Sequence, residues 1–287
     1  MGEQTRETAA DALSNLLAVL ELVEDGQLRF GAATKRPVPA TVRLVDDALV
    51  AGDFYDQGEG IAAYAWPLLV QFGGLARLTG ARLELTAAGA EALVRPGYRL
   101  VAELWDRWLK IVSFDEFSRV EVIKGQRKPH TLTSARGRRG TVAAALAALE
   151  PGVWADIELV WRILQTKDTP LIAVRGLTAL WRLYIGNSYY GSLGHAGEKS
   201  WEMVEGRYTL CVLFEYAATM GLVDVRYTEA DGARDDYRFL WGADQLPRLS
   251  RYDGLLAVRL NDLGAAILHD RASIPDLPLP VPRRTGA

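Results

Sequence analysis

Between Arg119 and Arg139 the chain carries seven cations (Arg119, Lys124, Arg127, Lys128, Arg136, Arg138 and Arg139) against one acid, Glu121. Cations at that density neutralise phosphates. Each Lys or Arg that meets a phosphate releases a counterion, which gives a salt-dependent and sequence-blind grip on duplex DNA. The Gly, Ser and Thr residues among them fit a loop that drapes along a backbone, and the alternative is a solvated charged linker, the usual behaviour of a charge run. No aromatic residue is interleaved, so stacking on unpaired bases is disfavoured in this stretch. A second set, Lys35, Arg36, Thr41 and Arg43, lies at or near the start of a helix read over Pro39–Val50. In a helix-turn-helix reader such residues meet phosphates or guanine edges. Asp46 and Asp47 stand one turn further along, where they would repel DNA, and they favour the competing reading of a helix used only for packing.

A third set sits in the glycine-rich run from Gly186 to Ser200. It is not a phosphate loop, because Glu198 interrupts the Gly-Lys-Ser adjacency and places an anion where phosphate would lie. Tyr189, Tyr190, His195 and Lys199 are then the polar and aromatic tips of a surface loop, with Leu177–Ile185 before it read as a helix. His130, His195 and His269 are scattered, Cys211 is the single cysteine, and no His or Cys pair has metal-ligand spacing. The acid pairs Asp115-Glu116 and Asp235-Asp236 read as solvated faces rather than a catalytic couple. The expectation is a non-enzymatic chain with no cofactor and no metal.

Helices must position these residues. Leu13, Leu16, Leu17, Leu20 and Val23 recur at helical spacing and stop at Asp25-Gly26. After the Pro39–Val50 helix a third runs over Ile61–Gln71, and then Gly73-Gly74 leads into two short strands, Leu75–Leu78 and Arg82–Leu85, around Thr79-Gly80. Thr86 N-caps a further helix. Three helices followed by a hairpin are the winged-helix order. The grammar returns near the carboxyl end, with an apolar helix over Tyr208–Met220, a break at Gly221, a strand over Leu222–Tyr227 and a turn at Asp231-Gly232. Leu85–Leu93 aligns without a gap to Leu260–Leu268, each with a strand-end Leu, a capping Thr or Asn, a Gly and a closing Leu. An internal duplication is the expectation, with a chance match of nine residues as the alternative. Helices over Tyr98–Val112, Thr141–Leu149 and Asp156–Gln165 fill the middle.

The expected fold class is therefore mainly α with small β-hairpin wings (α+β), as tandem winged-helix-like units joined by helical segments. The expected division is an amino-terminal domain over 1–112, a basic connector over 113–140, a carboxyl-terminal domain over 141–273 and a Pro-rich tail over 274–287. With 287 residues, 49% of them hydrophobic and 24% charged, the chain has a globular balance. A net charge of −3 means that any DNA binding must come from a local patch. The polar, acidic start at Gly2–Ala10, the lone cysteine and the lack of an 18-residue apolar run point to a cytoplasmic protein with no membrane association, nucleoid-associated if it binds DNA.

The runs Pro151–Leu164 (PGVWADIELVWRIL), Val258–Leu268 (VRLNDLGAAIL) and Leu83–Leu93 (LELTAAGAEAL) resemble winged-helix segments of bacterial helicase-associated proteins, including the amino-terminal accessory region of XPB-type helicases. The resemblance covers about a third of the chain and carries no motor motif. It implies association with nucleic acid rather than ATP-driven unwinding. Duplex DNA is the first partner class expected, contacted through Lys35, Arg36, Arg43 and the basic segment. The alternative is a protein-interaction adaptor that uses winged-helix surfaces and the Pro-rich tail.

Overall fold

A computed structural model describes residues 2–55, 60–166, 168 and 170–275. The Pro-rich tail therefore lies outside the described residues beyond Pro275. The fold is α+β and mainly helical. Ten α-helices are labelled here in chain order: α1 Ala9–Glu24, α2 Pro39–Ala48, α3 Ala62–Phe72, α4 Ala87–Val94, α5 Tyr98–Lys110, α6 Ala135–Leu146, α7 Ile157–Thr166, α8 Leu177–Leu180, α9 Arg207–Cys211 and α10 Asp262–His269. Two antiparallel sheets accompany them. β2 (Ala76–Thr79) pairs with β3 (Arg82–Leu85), and β1 (Gln4–Arg6), β5 (Val223–Tyr227), β6 (Leu255–Leu260) and β4 (Trp154–Asp156) form a sheet in the order β1-β5-β6-β4.

The chain divides into two compact units. Unit 1 takes Met1–Arg6, Ile111–Phe214 and Val225–Leu260, and unit 2 takes Glu7–Lys110, Glu215–Asp224 and Asn261–Ala287. The crossing at Lys110–Ile111 lies close to the boundary expected at 112. The segment over 113–140 is folded into unit 1 rather than free-standing, and the expected carboxyl-terminal domain is shared between the units. Its basic residues are not all on a loop either, since Arg136, Arg138 and Arg139 belong to α6.

In unit 2 the apolar stripe of α1 is fully buried, as its period requires. Arg29 bridges Arg82 of the hairpin, so an extended segment between α1 and α2 joins the β2–β3 ladder. The Asp53 carboxylate accepts from the backbone N–H groups of Ile61, Ala62 and Ala63 at 2.8–3.0 Å. It thereby satisfies donors that the start of α3 leaves without intrahelical partners. Every residue from Ala62 to Val70 is buried.

The helix–strand–helix–helix–hairpin–helix order occurs twice. α1, the Arg29 segment, α2, α3, β2, β3 and α4 are matched by α6, β4, α7, the helical run around α9, β5, β6 and α10. In the second case β4 pairs with β6, Trp154 opposite Arg259. The capping hydrogen bonds correspond one for one. Thr86 N–H donates to the Leu75 carbonyl at 3.0 Å, its hydroxyl donates to the Gly74 carbonyl at 2.7 Å, and it accepts from Gly89 N–H at 3.1 Å. Asn261 N–H donates to the Leu222 carbonyl at 3.4 Å, its amide donates to the Gly221 carbonyl at 3.0 Å, and its Oδ1 accepts from Gly264 N–H at 3.0 Å. One polar side chain thus ties the helix start to a Gly-Leu break in both places. Gly89 is required by contact, because a Cβ there would stand 2.0 Å from the Leu75 carbonyl oxygen.

The link from β5 to β6 is not a tight turn but a long excursion over 228–254. Buried Arg207 anchors it, pairing with Asp236 and Asp253, while Asp253 also accepts from Leu249 N–H at 3.0 Å and Ser250 N–H at 3.2 Å.

Candidate nucleic-acid interface

Three of the seven clustered cations are inside unit 1. Arg139 is fully buried, with its guanidinium on the buried Glu116 carboxylate at 2.7–2.8 Å. It also donates to the Phe114 carbonyl at 2.8 Å and to the Ile111 carbonyl. Arg138 is buried against Asp115 at 2.5 Å and lies 4.7 Å from the Tyr208 ring centre. Arg119 is buried and faces Glu121 at 3.7 Å. The expectation that Arg138 and Arg139 meet DNA is corrected here: both are structural, and their ion pairs fasten the start of α6 to the 111–116 segment.

The Glu116 carboxylate is altered by its burial beside Arg139. Burial pushes its carboxyl from the ordinary 4.5 up to about 6, against the opposing pull of Arg139. The folded value exceeds the unfolded one, so its stabilising proton is fully held below about pH 4.5 and is lost as pH rises through about 6. Urea midpoints measured across this window for the parent chain and for Glu116→Gln isolate the effect. The parent is expected to lose stability relative to the variant as pH rises, and parallel curves would contradict the assignment.

The remaining cations face solvent. Lys124, Arg127 and Lys128 line a concavity of about 620 Å³ with Ser118, Glu121 and Pro129. Arg136 is exposed on the first turn of α6. The loop is built rather than draped: the Gln126 amide donates to the Val120 and Ile123 carbonyls at 2.9 and 2.7 Å. Gly125 has φ +86, a conformation that side-chain-bearing residues rarely adopt, and a Cβ there would lie 1.9 Å from the Arg182 carbonyl oxygen.

That close approach brings in cations the sequence reading did not include. Of the helix expected over Leu177–Ile185 only Leu177–Leu180 is helical; the chain then turns back on itself, and the Tyr184–Ser192 bridge closes residues 182–193 into a short hairpin. Lys124 bridges Tyr184, and the Arg182 guanidinium donates to the Pro129 carbonyl at 2.7 Å. Arg175 donates to the Leu132 carbonyl at 2.8 Å, beside the Leu132–Val174 bridge. The basic surface therefore comprises the exposed Lys124, Arg127, Lys128, Arg136 and Arg175 together with the half-buried Arg182. Among the described residues none of the six has an ion-pair partner. Glu121, the acid lining the concavity, faces Arg119 at 3.7 Å and Arg251 at 3.3 Å.

The set expected in unit 2 is not assembled as a reader. Thr41 is buried, accepting from Arg29 N–H and donating to the Arg29 carbonyl, both at 2.8 Å. It packs the helix and is not available to DNA. Arg36 donates to the Tyr64 hydroxyl at 3.1 Å. Lys35 and Arg43 are exposed. Asp46 accepts from Asp53 N–H at 2.9 Å, so that its carboxylate serves the loop before α3.

In the 186–200 loop Tyr189 and Tyr190 are exposed, as expected. His195 packs edge-on against Trp181 at 4.7 Å, and Lys199 lies 5.0 Å from the Phe239 ring centre. Cys211 is buried. Among the described residues no helix is long and apolar enough to cross a membrane, and no His, Cys, Asp or Glu side chains gather in a group able to hold a metal ion. No protein-family model, curated protein or solved structure matches the chain.

Proposed function

We propose that the chain is a non-catalytic, DNA-associated protein of tandem winged-helix build, an accessory scaffold of the helicase-associated kind. Unit 1 holds the phosphate backbone of duplex DNA. The observation that carries this reading is a surface of six cations, five exposed and Arg182 half-buried, drawn from two separate segments and without ion-pair partners among the described residues. A fold that pairs Arg119, Arg138 and Arg139 with acids while leaving these six without ion-pair partners among the described residues has a local positive field despite a net charge of −3. Such a field attracts and orients a polyanion. The contacts are to backbone, so they position the protein without reading sequence. The doubled element order and the matching Thr86 and Asn261 caps support the winged-helix assignment.

Arg175 and Arg182 test the reading most sharply, because neither belongs to the basic run in sequence. The Arg175→Ala/Arg182→Ala chain is expected to bind unrelated labelled duplexes about tenfold more weakly than the parent, uniformly across sequences. Fluorescence anisotropy measures this. Unchanged affinity would remove both residues from the surface, and weakening confined to one duplex sequence would contradict backbone binding.

A further inference from the structure

The basic surface of unit 1 is continuous along the chain with a cluster of exposed aromatic rings. The 182–193 hairpin carries both. Near its base Tyr184 bridges Lys124 and Ser192. Leu193 N–H donates to the Leu183 carbonyl and Ile185 N–H to the Gly191 carbonyl, both at 2.9 Å. Its tip presents Tyr189, 74% exposed, and Tyr190, 58% exposed, with ring centres 5.0 Å apart. Trp241, 57% exposed, stands 5.6 Å from Tyr190. Asn187 Oδ1 accepts from the N–H groups of Tyr189 and Tyr190 at 2.8 and 3.1 Å, which fixes the tip. Contiguous large rings left in water mark an interaction surface. Tyr189 follows Tyr184 by five Cα steps, which keeps the tip within about 19 Å of Tyr184 at the base.

We propose that Tyr189, Tyr190 and Trp241 stack on unpaired bases of a single strand that runs off the duplex held by the cations. The inference rests on unit 1 holding DNA, and it narrows the preferred ligand to a duplex with a single-stranded extension. Aromatic platforms beside a positive track bind single strands with little sequence preference, because every base has a π-face. Within the basic segment alone, stacking was disfavoured for want of aromatics; the fold supplies them from the hairpin and from the 228–254 excursion. Charge complementarity selects a polynucleotide over a polypeptide here, since Arg182 and the Lys124 loop flank the hairpin base.

Anisotropy with a blunt duplex and the same duplex bearing a short single-stranded tail, at one salt concentration, provides the test. The parent is expected to prefer the tailed form by about tenfold. Tyr189→Ala/Tyr190→Ala and Trp241→Ala should each bring that preference toward unity while leaving blunt-duplex affinity unchanged, and Tyr189→Phe/Tyr190→Phe should retain it. Equal binding of blunt and tailed DNA by the parent would overturn the stacking role and leave duplex association standing. Preference that survives the alanine substitutions would overturn it too. Binding of neither DNA would remove both proposals. Shielding of Tyr189 and Trp241 by a peptide of residues 276–287, with none by tailed DNA, would overturn it in favour of a polypeptide ligand.

Discussion

An Arg139→Ala chain is expected to lose about 3–5 kcal/mol of stability, the range seen when one partner of a buried ion pair is removed. The loss has three sources in this structure. The Glu116 carboxylate keeps its burial but loses the guanidinium at 2.7–2.8 Å. The Phe114 and Ile111 carbonyls lose their donor, and a side chain that fills the core leaves a void. Replacing both partners, as in Glu116→Leu/Arg139→Met, should cost less than Arg139→Ala alone, because no charge is then stranded. Urea unfolding measures both chains. A loss below about 1 kcal/mol for Arg139→Ala would place it among exposed pairs and contradict its structural role.

The second large effect is on binding. Reversing Lys124, Arg127 and Lys128 to Glu together is expected to abolish measurable duplex binding at moderate salt, a loss of about 100-fold or more. Three favourable phosphate contacts become three repulsions around one concavity. All three side chains are exposed, so the melting temperature should change little. A folded variant that binds duplex as tightly as the parent would place the contact surface elsewhere.

The local scaffold was legible because its signals are local. The α1 stripe, the Thr86 and Asn261 caps and the glycine breaks before β2 and β5 each follow from residues a few positions apart. The site was only half legible, because its chemistry depends on partners distant in sequence. Arg138 and Arg139 read as part of a basic run, while the acids that neutralise them, Asp115 and Glu116, lie 23 residues earlier and read as a solvated face of their own. The cue was that two acids precede an Arg pair at a matching offset, which no periodicity rule weights. Leu177–Ile185 misled for a different reason: a short apolar run does not distinguish helix from strand, and the hairpin is set by pairing with Lys124 and Ser192. Arg175, Arg182 and Trp241 became part of the surface only through that pairing and through the fold of 228–254.

These distant pairings also alter the electrostatic count on which the proposed DNA association rests. Burying Arg119, Arg138 and Arg139 subtracts from the basic run, and Arg175 and Arg182 restore two charges on its exposed side. The most direct measurement is duplex affinity across a salt series. If the six cations of this surface each meet a phosphate, log K should fall linearly with log salt at a slope of about −5, and affinity should drop by about 1000-fold between about 50 and 200 mM salt. The charge-reversed chain should show at most half that slope wherever binding remains measurable. A slope near zero, or no duplex binding at low salt, would contradict the assignment of unit 1 as a phosphate-backbone surface.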